Sequence, residues 1–177
     1  MMTGRKLFIY IACSLDGYIA KPGGNLDFLD RVDQEGEDYG YHDFTSRIDT
    51  VILGRKTYDW VMARVDKFPH ADKKTYVITR TARPGQGNIT FYNGPLKELA
   101  EGLKHQQGKH IFCDGGAEVI HELLKHKLID EFIVSIVPVL VGEGTRLFKD
   151  GQPEQDLELV SVKEFETGLV QLHYKLK

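Results

Sequence analysis

Apolar residues in this chain form two kinds of pattern, and the two alternate along most of its length. Short, nearly continuous runs rich in β-branched and aromatic residues predict strands, whereas apolar residues three or four positions apart predict helices. The predicted strands cover residues 6–12, 51–53, 74–79, 89–92, 110–113, 128–141, 157–165 and 169–176. Helical spacing begins near residues 38, 58, 96 and 117. A turn at 166–168 joins the last two strands. The pattern therefore predicts a mainly parallel α/β sheet that ends in an antiparallel hairpin.

Size and composition narrow the classes of protein that this chain can belong to. Its 177 residues favour a single domain, spanning residues 1–177, because two domains of ordinary size need more chain. A hydrophobic fraction of 41% and a charged fraction of 28% are typical of a soluble globular protein. The formal net charge of -3 gives nucleic acid no general attraction, and the apolar runs are too short for a membrane helix. The first residues show no signal-peptide pattern, so we expect a cytoplasmic protein without nucleic-acid or membrane partners.

The sequence has no spacing that is typical of a metal site. Cys13 and Cys113 each end an apolar, strand-like run, where a thiol usually behaves as a small buried hydrophobe. His121 and His126 are five positions apart, which places them on different faces of a helix. We therefore expect no metal ligands in this chain.

The stretch after the second predicted strand has the composition of an anion-binding corner. Residues 51–53 lead into Gly54, and Arg55, Lys56 and Thr57 then open a helix. Glycine permits a tight turn, and the free N–H groups at the start of a helix attract anions together with the helix dipole. Two cations beside these donors favour a phosphate, and hence a nucleotide cofactor. An ordinary basic surface turn has the same composition, so both interpretations stay open here.

Two later segments resemble this corner. The strand predicted at 74–79 ends at Thr79 and Arg80, again a hydroxyl beside a cation. Residues 114–118 read Asp-Gly-Gly-Ala-Glu and lead from a strand into a helix. Paired glycines leave room for a main chain to lie against a pyrophosphate or a nicotinamide. The G-x-G-x-x-G fingerprint of an ordinary dinucleotide-binding Rossmann domain is missing, which disfavours that fold.

Two segments near the first strand complete the candidate site. The loop at 14–25 leaves that strand through an Asp-Gly turn, and such a loop either connects strands at the surface or closes over a ligand. Asp38 stands where helical spacing begins, near the positive end of the predicted helix. It is either an acid that only starts the helix or one that faces a cleft.

In this order, the segments resemble those of dihydrofolate reductase-like proteins, and the resemblance extends from end to end. Its motifs are Ala12 with Ile19, residues 53–58 (Leu-Gly-Arg-Lys-Thr-Tyr), 79–80 (Thr-Arg), 115–117 (Gly-Gly-Ala) and 142–145 (Gly-Glu-Gly-Thr). Residues 14–20, 129–131 and 137–144 are most similar to the branch that contains the reductase domain of bacterial riboflavin biosynthesis.

The resemblance implies a dihydrofolate reductase-like three-layer α/β/α fold and an oxidoreductase that uses NADPH. The residues that it places around NADPH are Gly54, Arg55, Lys56, Thr57, Thr79, Arg80, Gly115, Gly116, Ala117 and Glu118, with Ala12 and Ile19 beside the nicotinamide. Asp38 matches the acid that helps to protonate the pterin in dihydrofolate reductases, a role that requires burial to raise its pKa. Related proteins often pair, so the resemblance also implies a homodimer.

Departures from the family pattern leave the substrate open. Folate enzymes usually have a Leu-Pro pair and an arginine for the glutamate tail, where this chain has Leu26, Asp27 and Lys73. The riboflavin-pathway reductase usually has a lysine on its first strand, where this chain has Tyr10. We expect a reductase of a small heterocyclic or sugar-phosphate-linked compound, similar to 5-amino-6-(5-phosphoribosylamino)uracil or dihydrofolate. The alternative is a non-catalytic sensor module that binds NADPH or another nucleotide.

Overall fold

The computed structural model describes residues 4–177. The strands are β1 (Leu7–Ser14), β2 (Tyr18–Ala20), β3 (Ile48–Gly54), β4 (Lys74–Ile78), β5 (Ile89–Tyr92), β6 (His110–Gly115), β7 (Glu131–Val137), β8 (Thr145–Arg146), β9 (Leu157–Glu164) and β10 (Val170–Leu176). The α-helices are α1 (Tyr41–Ser46), α2 (Arg55–Met62), α3 (Leu96–His105) and α4 (Ala117–Lys125), and 3-10 turns occupy Pro22–Gly24 and Asp27–Val32. No helix in this part of the chain is both long and apolar enough to cross a lipid bilayer.

The main sheet has the strand order β5-β4-β3-β6-β1-β7-β10-β9. Strands from β5 to β7 run parallel to one another. Strand β10 pairs antiparallel with β7, and β9 pairs antiparallel with β10. Parallel neighbours need crossover connections, and helices supply these except between β4 and β5, where residues 79–88 contain no helix. These pairings confirm the prediction of an α/β fold with a mixed, mainly parallel sheet that ends in an antiparallel hairpin.

Helices cover both faces of the central strands. On β1, Leu7 and Ile9 pack in a core with residues of α3 and α4. Phe8 lies between them in sequence and packs on the opposite face with residues of α1 and α2. Because successive strand residues point to opposite faces, a strand covered on both sides is apolar at every position, as the sequence of β1 is. The molecule therefore has three layers.

Several element boundaries differ from the sequence prediction, and for two elements the residues at the boundary explain the difference. The long apolar strand predicted at 128–141 is wrong at both ends, since β7 covers only Glu131–Val137 and ends before Pro138, which has no N–H to donate to a neighbouring strand. The helix expected from residue 38 begins at Tyr41. Gly40 precedes it in the left-handed region with φ 82, a conformation that favours glycine.

Candidate functional site

The predicted corners lie at the carboxyl ends of neighbouring parallel strands. Gly54, at the end of β3, pairs with Ile78 at the end of β4, and Thr79 follows directly. On the other side of β3, Leu53 pairs with Gly115 at the end of β6. Because β4, β3, β6 and β1 are neighbours in that order, the sheet brings the three corners to one edge. Ligands of open α/β sheets bind at this edge.

The first and third corners are in van der Waals contact. A Cβ atom on Gly54 would lie 3.2 Å from Cγ2 of Val119 and 3.7 Å from the main-chain N of Gly116. A Cβ atom on Gly116 would lie 3.1 Å from Oγ1 of Thr57. The peptide bond between Gly115 and Gly116 is cis. An added side chain at either glycine would therefore require Val119 or Thr57 to shift by a few tenths of an ångström.

Two helices begin at these glycines and direct their free N–H groups to the same edge. Gly54 is the N-cap of α2 and Gly116 the N-cap of α4, and neither has a side chain that could accept from the first N–H groups. The N–H groups are thus open to an external acceptor, and the helix dipoles favour an anion there.

The polar and charged side chains of the corners differ in their exposure to solvent and in whether they already have hydrogen-bond partners. Arg55 and Lys56 are exposed, and Nε of Arg55 lies 3.3 Å from Oδ2 of Asp59 one helical turn on. Arg80 is exposed, but the buried hydroxyl of Thr79 is used in its own turn, where it accepts from the N–H of Thr81 at 3.2 Å. The cations therefore face solvent, while the Thr79 hydroxyl shapes the main chain around them.

The remaining predicted cofactor contacts lie in different surroundings. Ala117 is buried at the start of α4, and Glu118 is exposed in the first turn of that helix, where an acid complements the dipole. Ala12 packs on the face of the sheet that carries Phe28, whereas Ile19 packs against the core on the opposite face. The structure therefore brings Ala117 to the glycine corner but does not place Ala12 and Ile19 in one cluster.

The loop after β1 is tied to the loop after β7 by a carboxylate. Asp16 accepts from the hydroxyl of Ser14 at 2.5 Å and from the N–H groups of Val141 at 3.0 Å and Gly142 at 2.8 Å. The Ser14 hydrogen bond, supported by the two main-chain donors, lowers the pKa of Asp16 to about 2. The Asp-Gly segment of the sequence is thus a fixed junction beside the carboxyl end of β1.

Asp38 does not have the surroundings that its expected role requires. Its carboxylate is exposed and accepts from the N–H groups of Gly40 and His42, each at 2.9 Å. The hydrogen bonds from His42 and Gly40 lower the pKa of Asp38 below its usual value. The expectation that burial raises this pKa is therefore wrong, because the side chain stabilises the entry to α1 from outside the core.

A group that the sequence analysis missed lies on the face of the sheet under α1. Nε2 of His70 is 3.5 Å from the hydroxyl oxygen of Tyr41 and 3.5 Å from Oδ2 of Asp114. Burial raises the pKa of Tyr41, and the negative charge of Asp114 adds to the effect. The only signal in the sequence was the position of Asp114 directly before Gly115. His70 lies in the connection between α2 and β4, which has no periodic pattern.

A cavity of about 370 Å³ opens beside this group, between α1 and the segment that precedes β4. It is lined by Tyr41, His42, Thr45, Ser46, Pro69, His70, Asp72 and Lys73. Nζ of Lys73 lies 2.8 Å from Oδ2 of Asp72. The volume is in the range of small-molecule sites, and the lining carries both hydrogen-bonding groups and a cation.

Comparison with known proteins gives consistent matches over nearly the whole chain. Residues 5–171 match the model of the RibD C-terminal domain family. The uncharacterized protein YwjB of Bacillus subtilis (strain 168) is 43% identical over 171 residues, which cover 96% of this chain and 97% of YwjB.

Solved structures agree in fold. A protein of Shewanella sp. PV-4, assigned provisionally to riboflavin biosynthesis, superposes with a TM-score of 0.87 at 28% identity, covering 97% of this chain and 99% of that one. Dihydrofolate reductase from Enterococcus faecalis, complexed with NADP(H) and RAB-propyl, gives a TM-score of 0.67 at 18% identity, with coverage of 97% and 96%. The second likeness shows the fold alone. On the family match and the identity to YwjB, this chain belongs to the RibD C-terminal domain family.

Proposed function

We propose that this protein is an NADPH-dependent reductase that transfers hydride to a small heterocyclic or sugar-phosphate-linked compound. The observation that carries the proposal is the close approach of two uncapped helix starts, at Gly54 and Gly116, on neighbouring strands. A dinucleotide has phosphates that suit such donors and a planar ring that suits main chain without side chains.

In this proposal the phosphorylated adenosine end lies against the basic side of the site. Arg55, Lys56 and Thr57 at the start of α2 and Arg80 after β4 supply the cations and hydroxyl, with Thr79 shaping the second turn. The exposure of the cations is consistent with binding a ligand of double negative charge. The extra phosphate distinguishes NADPH from NADH, so we expect the residues on this side to determine the selectivity for NADPH over NADH.

The nicotinamide end then lies against residues 115–117, near Ala12 at the end of β1. Bound there, the dihydronicotinamide supplies the hydride. The chain holds the ring by main-chain contacts at Gly115 and Gly116 and excludes water with the loop that Asp16 fixes. We assign the substrate to the end of the cavity beside α1 that Tyr41 and His70 line, because His70 contacts Asp114, which directly precedes Gly115.

The experiment that tests cofactor selectivity is the double substitution Arg55→Gln and Arg80→Gln. Each change removes a charge-assisted hydrogen bond of about 1.5–3 kcal/mol, so the Kd for NADPH rises by about a hundredfold or more in the double variant, while that for NADH changes little. Calorimetry with both cofactors measures the effect. Lys125→Gln, exposed in the last turn of α4 and so at the opposite end of that helix from Gly116, is the control. An equal loss of affinity for NADH and NADPH would contradict the assignment of the extra phosphate to this side.

The alternative function is a sensor that binds NADPH without turnover, and the surroundings of Asp38 favour it. An exposed, low-pKa carboxylate is a poor proton donor, so the acid of the family pattern is not available here in its expected form. Dihydrofolate and 5-amino-6-(5-phosphoribosylamino)uracil, offered with NADPH, distinguish the two functions. Oxidation of NADPH with either compound supports the reductase, and tight NADPH binding without any oxidation supports the sensor.

We also propose a homodimer that forms through strand β9. This edge strand exposes Leu159, Val160 and Val162, each about half accessible to solvent. Unprotected apolar edges promote aggregation, so proteins cover them, and a two-fold pairing covers the same residues in both copies. Light scattering should give the dimer mass for the native chain and the monomer mass for Val162→Lys. A native chain that is monomeric at micromolar concentration would rule this interface out.

A further inference from the structure

We infer that Tyr41 donates the proton that accompanies hydride transfer, and that His70 and Asp114 position its hydroxyl and restore its proton. The inference rests on the proposed reductase function and identifies a catalytic residue that the motif analysis did not find. Its basis is the contact of three titratable side chains from three separate segments, α1, the connection before β4, and β6.

The position of Tyr41 supports this role. Its ring packs edge-on against Tyr10 of β1, with ring centres 5.4 Å apart, and against Phe112 of β6, with ring centres 6.4 Å apart. Asp114 directly precedes Gly115, the residue against which we place the nicotinamide. The Tyr41 ring is therefore held over the middle of β1 and β6, and His70 links its hydroxyl to Asp114 near the carboxyl end of β6.

The three side chains differ in accessibility in a way that fits a relay. Tyr41 is 37% exposed and the Asp114 side chain 29%, whereas the His70 side chain is only 6% exposed. A substrate in the adjacent cavity can reach the hydroxyl of Tyr41 directly. His70 stands behind it, shielded by the ring of Phe112 at a centre distance of 5.9 Å and by Phe68 at 5.6 Å.

The proton and electron balance of the step is complete with these groups. With a bound dihydronicotinamide as the source, the hydride would form a bond to the carbon of a C=N or C=O group, and the electron pair of that double bond would move to the nitrogen or oxygen. The heteroatom would take the phenolic hydrogen as the O–H bond of Tyr41 breaks. The phenolate would then take a proton from Nε2 of His70 in its imidazolium form, 3.5 Å from Oδ2 of Asp114, and solvent would reprotonate the imidazole.

Burial around Tyr41 limits when its hydroxyl can donate. Because burial and the charge of Asp114 raise the pKa of this phenol, it is protonated at neutral pH and gives up its proton only to a heteroatom that becomes strongly basic as the hydride arrives. Further titratable groups around the relay come from three elements: Tyr10 from β1, His42 from α1, and Asp72 with Lys73 from the segment before β4. The experiment must separate their ionisation from that of His70.

The decisive substitution is Tyr41→Phe, which removes the hydroxyl and keeps the packing ring. With NADPH and whichever of the two named acceptors the native protein reduces, we expect kcat to fall by about 10²–10⁴-fold and the Kd for NADPH to stay the same. Tyr92→Phe is the control, because that hydroxyl donates only to the Pro95 carbonyl at 3.1 Å. Unchanged kcat in Tyr41→Phe would overturn the inference and leave the reductase proposal standing.

A second measurement does not depend on turnover. In NMR titrations of the tyrosine rings, Asp114→Asn should lower the midpoint of Tyr41, because the carboxylate adds to the effect of burial in raising the pKa of this phenol. Asp43→Asn, on the same helix, is the control and should leave that midpoint unchanged. The pH profile of kcat should lose one ionisation in His70→Gln but not in His42→Gln. An identical Tyr41 titration in the native and Asp114→Asn proteins would overturn the inference, and failure of the native protein to bind NADPH would overturn the reductase proposal and this inference together.

Discussion

The two halves of the candidate site are built in different ways. At the ends of β3 and β6, the main chain at Gly54 and Gly116 is in van der Waals contact, and an added Cβ atom at either position would lie 3.1–3.2 Å from a neighbouring side chain. Under α1, by contrast, Tyr41, His70 and Asp114 meet through side chains at 3.5 Å. The first half has little tolerance for added atoms. The second half tolerates a change in the shape of its side chains but depends on the functional groups that they carry. The difference teaches that binding and proton transfer can be disturbed separately.

The largest effect is expected where main-chain packing is tightest, at Gly144. A Cβ atom there would lie 2.1 Å from the carbonyl oxygen of Ala20, and Gly144 also has φ +137. Gly144→Ala should lower the free energy of unfolding by about 2–4 kcal/mol, from overpacking and backbone strain together. Urea denaturation measures it.

Gly142→Ala is the matched control for that clash. Gly142 has φ +87 but nothing within 4 Å of an added Cβ atom. It should lose only the strain of the left-handed backbone, about 1–2 kcal/mol. Equal losses in the two variants would show that contact with Ala20 adds nothing.

The next largest effect is expected at Gly116, where a larger side chain should weaken NADPH binding. Gly116→Val places side-chain atoms against Oγ1 of Thr57 and into the space assigned to the cofactor. Overpacking of about 1–3 kcal/mol corresponds to roughly a 10- to 100-fold weaker Kd for NADPH. Calorimetric titration measures the loss, and Gly102→Val in α3, with nothing within 4 Å of its Cβ position, is the control. Native affinity in Gly116→Val would mean that the cofactor does not approach this corner.

A smaller effect is expected from the carboxylate of Asp16, which ties the loop after β1 to the loop after β7. The folded-state pKa of Asp16, about 2, lies below its ordinary value of 3.8, so its ionised form is favoured by folding. Its contribution to stability is present above about pH 4 and is lost as the pH falls towards 2. Thermal unfolding between pH 5 and 2 should show a steeper loss in the native protein than in Asp16→Asn.

The exposed acid Asp43 is the control for that titration. Asp43→Asn should keep the native pH dependence, because this side chain lies in the first turn of α1, away from the loop junction. If Asp16→Asn and the native protein lose stability in parallel, the junction is not held by the ionised carboxylate.

The smallest effect is expected at Asp38. Asp38→Asn keeps one acceptor oxygen for the main-chain N–H groups at the start of α1 and removes an exposed charge. Turnover and its pH profile should stay close to native, in contrast to Tyr41→Phe. Steady-state kinetics of the two variants compare them directly, and a large loss in Asp38→Asn would return the proton-donor role to that residue.

The sequence by itself determined the order of most strands along the chain, the coverage of both faces of β1, and the turns at Gly54, Gly115 and Gly116. Continuous apolar runs such as β1 require cover on both sides, and a glycine between a strand and a helix indicates a tight, donor-rich turn. These features depend on residues that are close in sequence. Local pattern therefore sufficed for the strand-to-helix turns, whereas the binding role of their glycines stays a prediction.

Only the tertiary structure decided which side chains meet. Tyr41, His70 and Asp114 lie on segments far apart in the chain. In the sequence, Asp114 is only an acid that follows a predicted strand, and its contact with His70 depends on the pairing of β6 with β3. Asp38 shows the converse, because its sequence position left open whether it faces a cleft or only starts a helix, and the structure shows it exposed, with hydrogen bonds from the main chain at the entry to α1. Periodicity in the sequence shows on which face of a helix or strand a residue lies. Contacts between distant segments depend on how those elements pack, and local sequence patterns do not encode that packing.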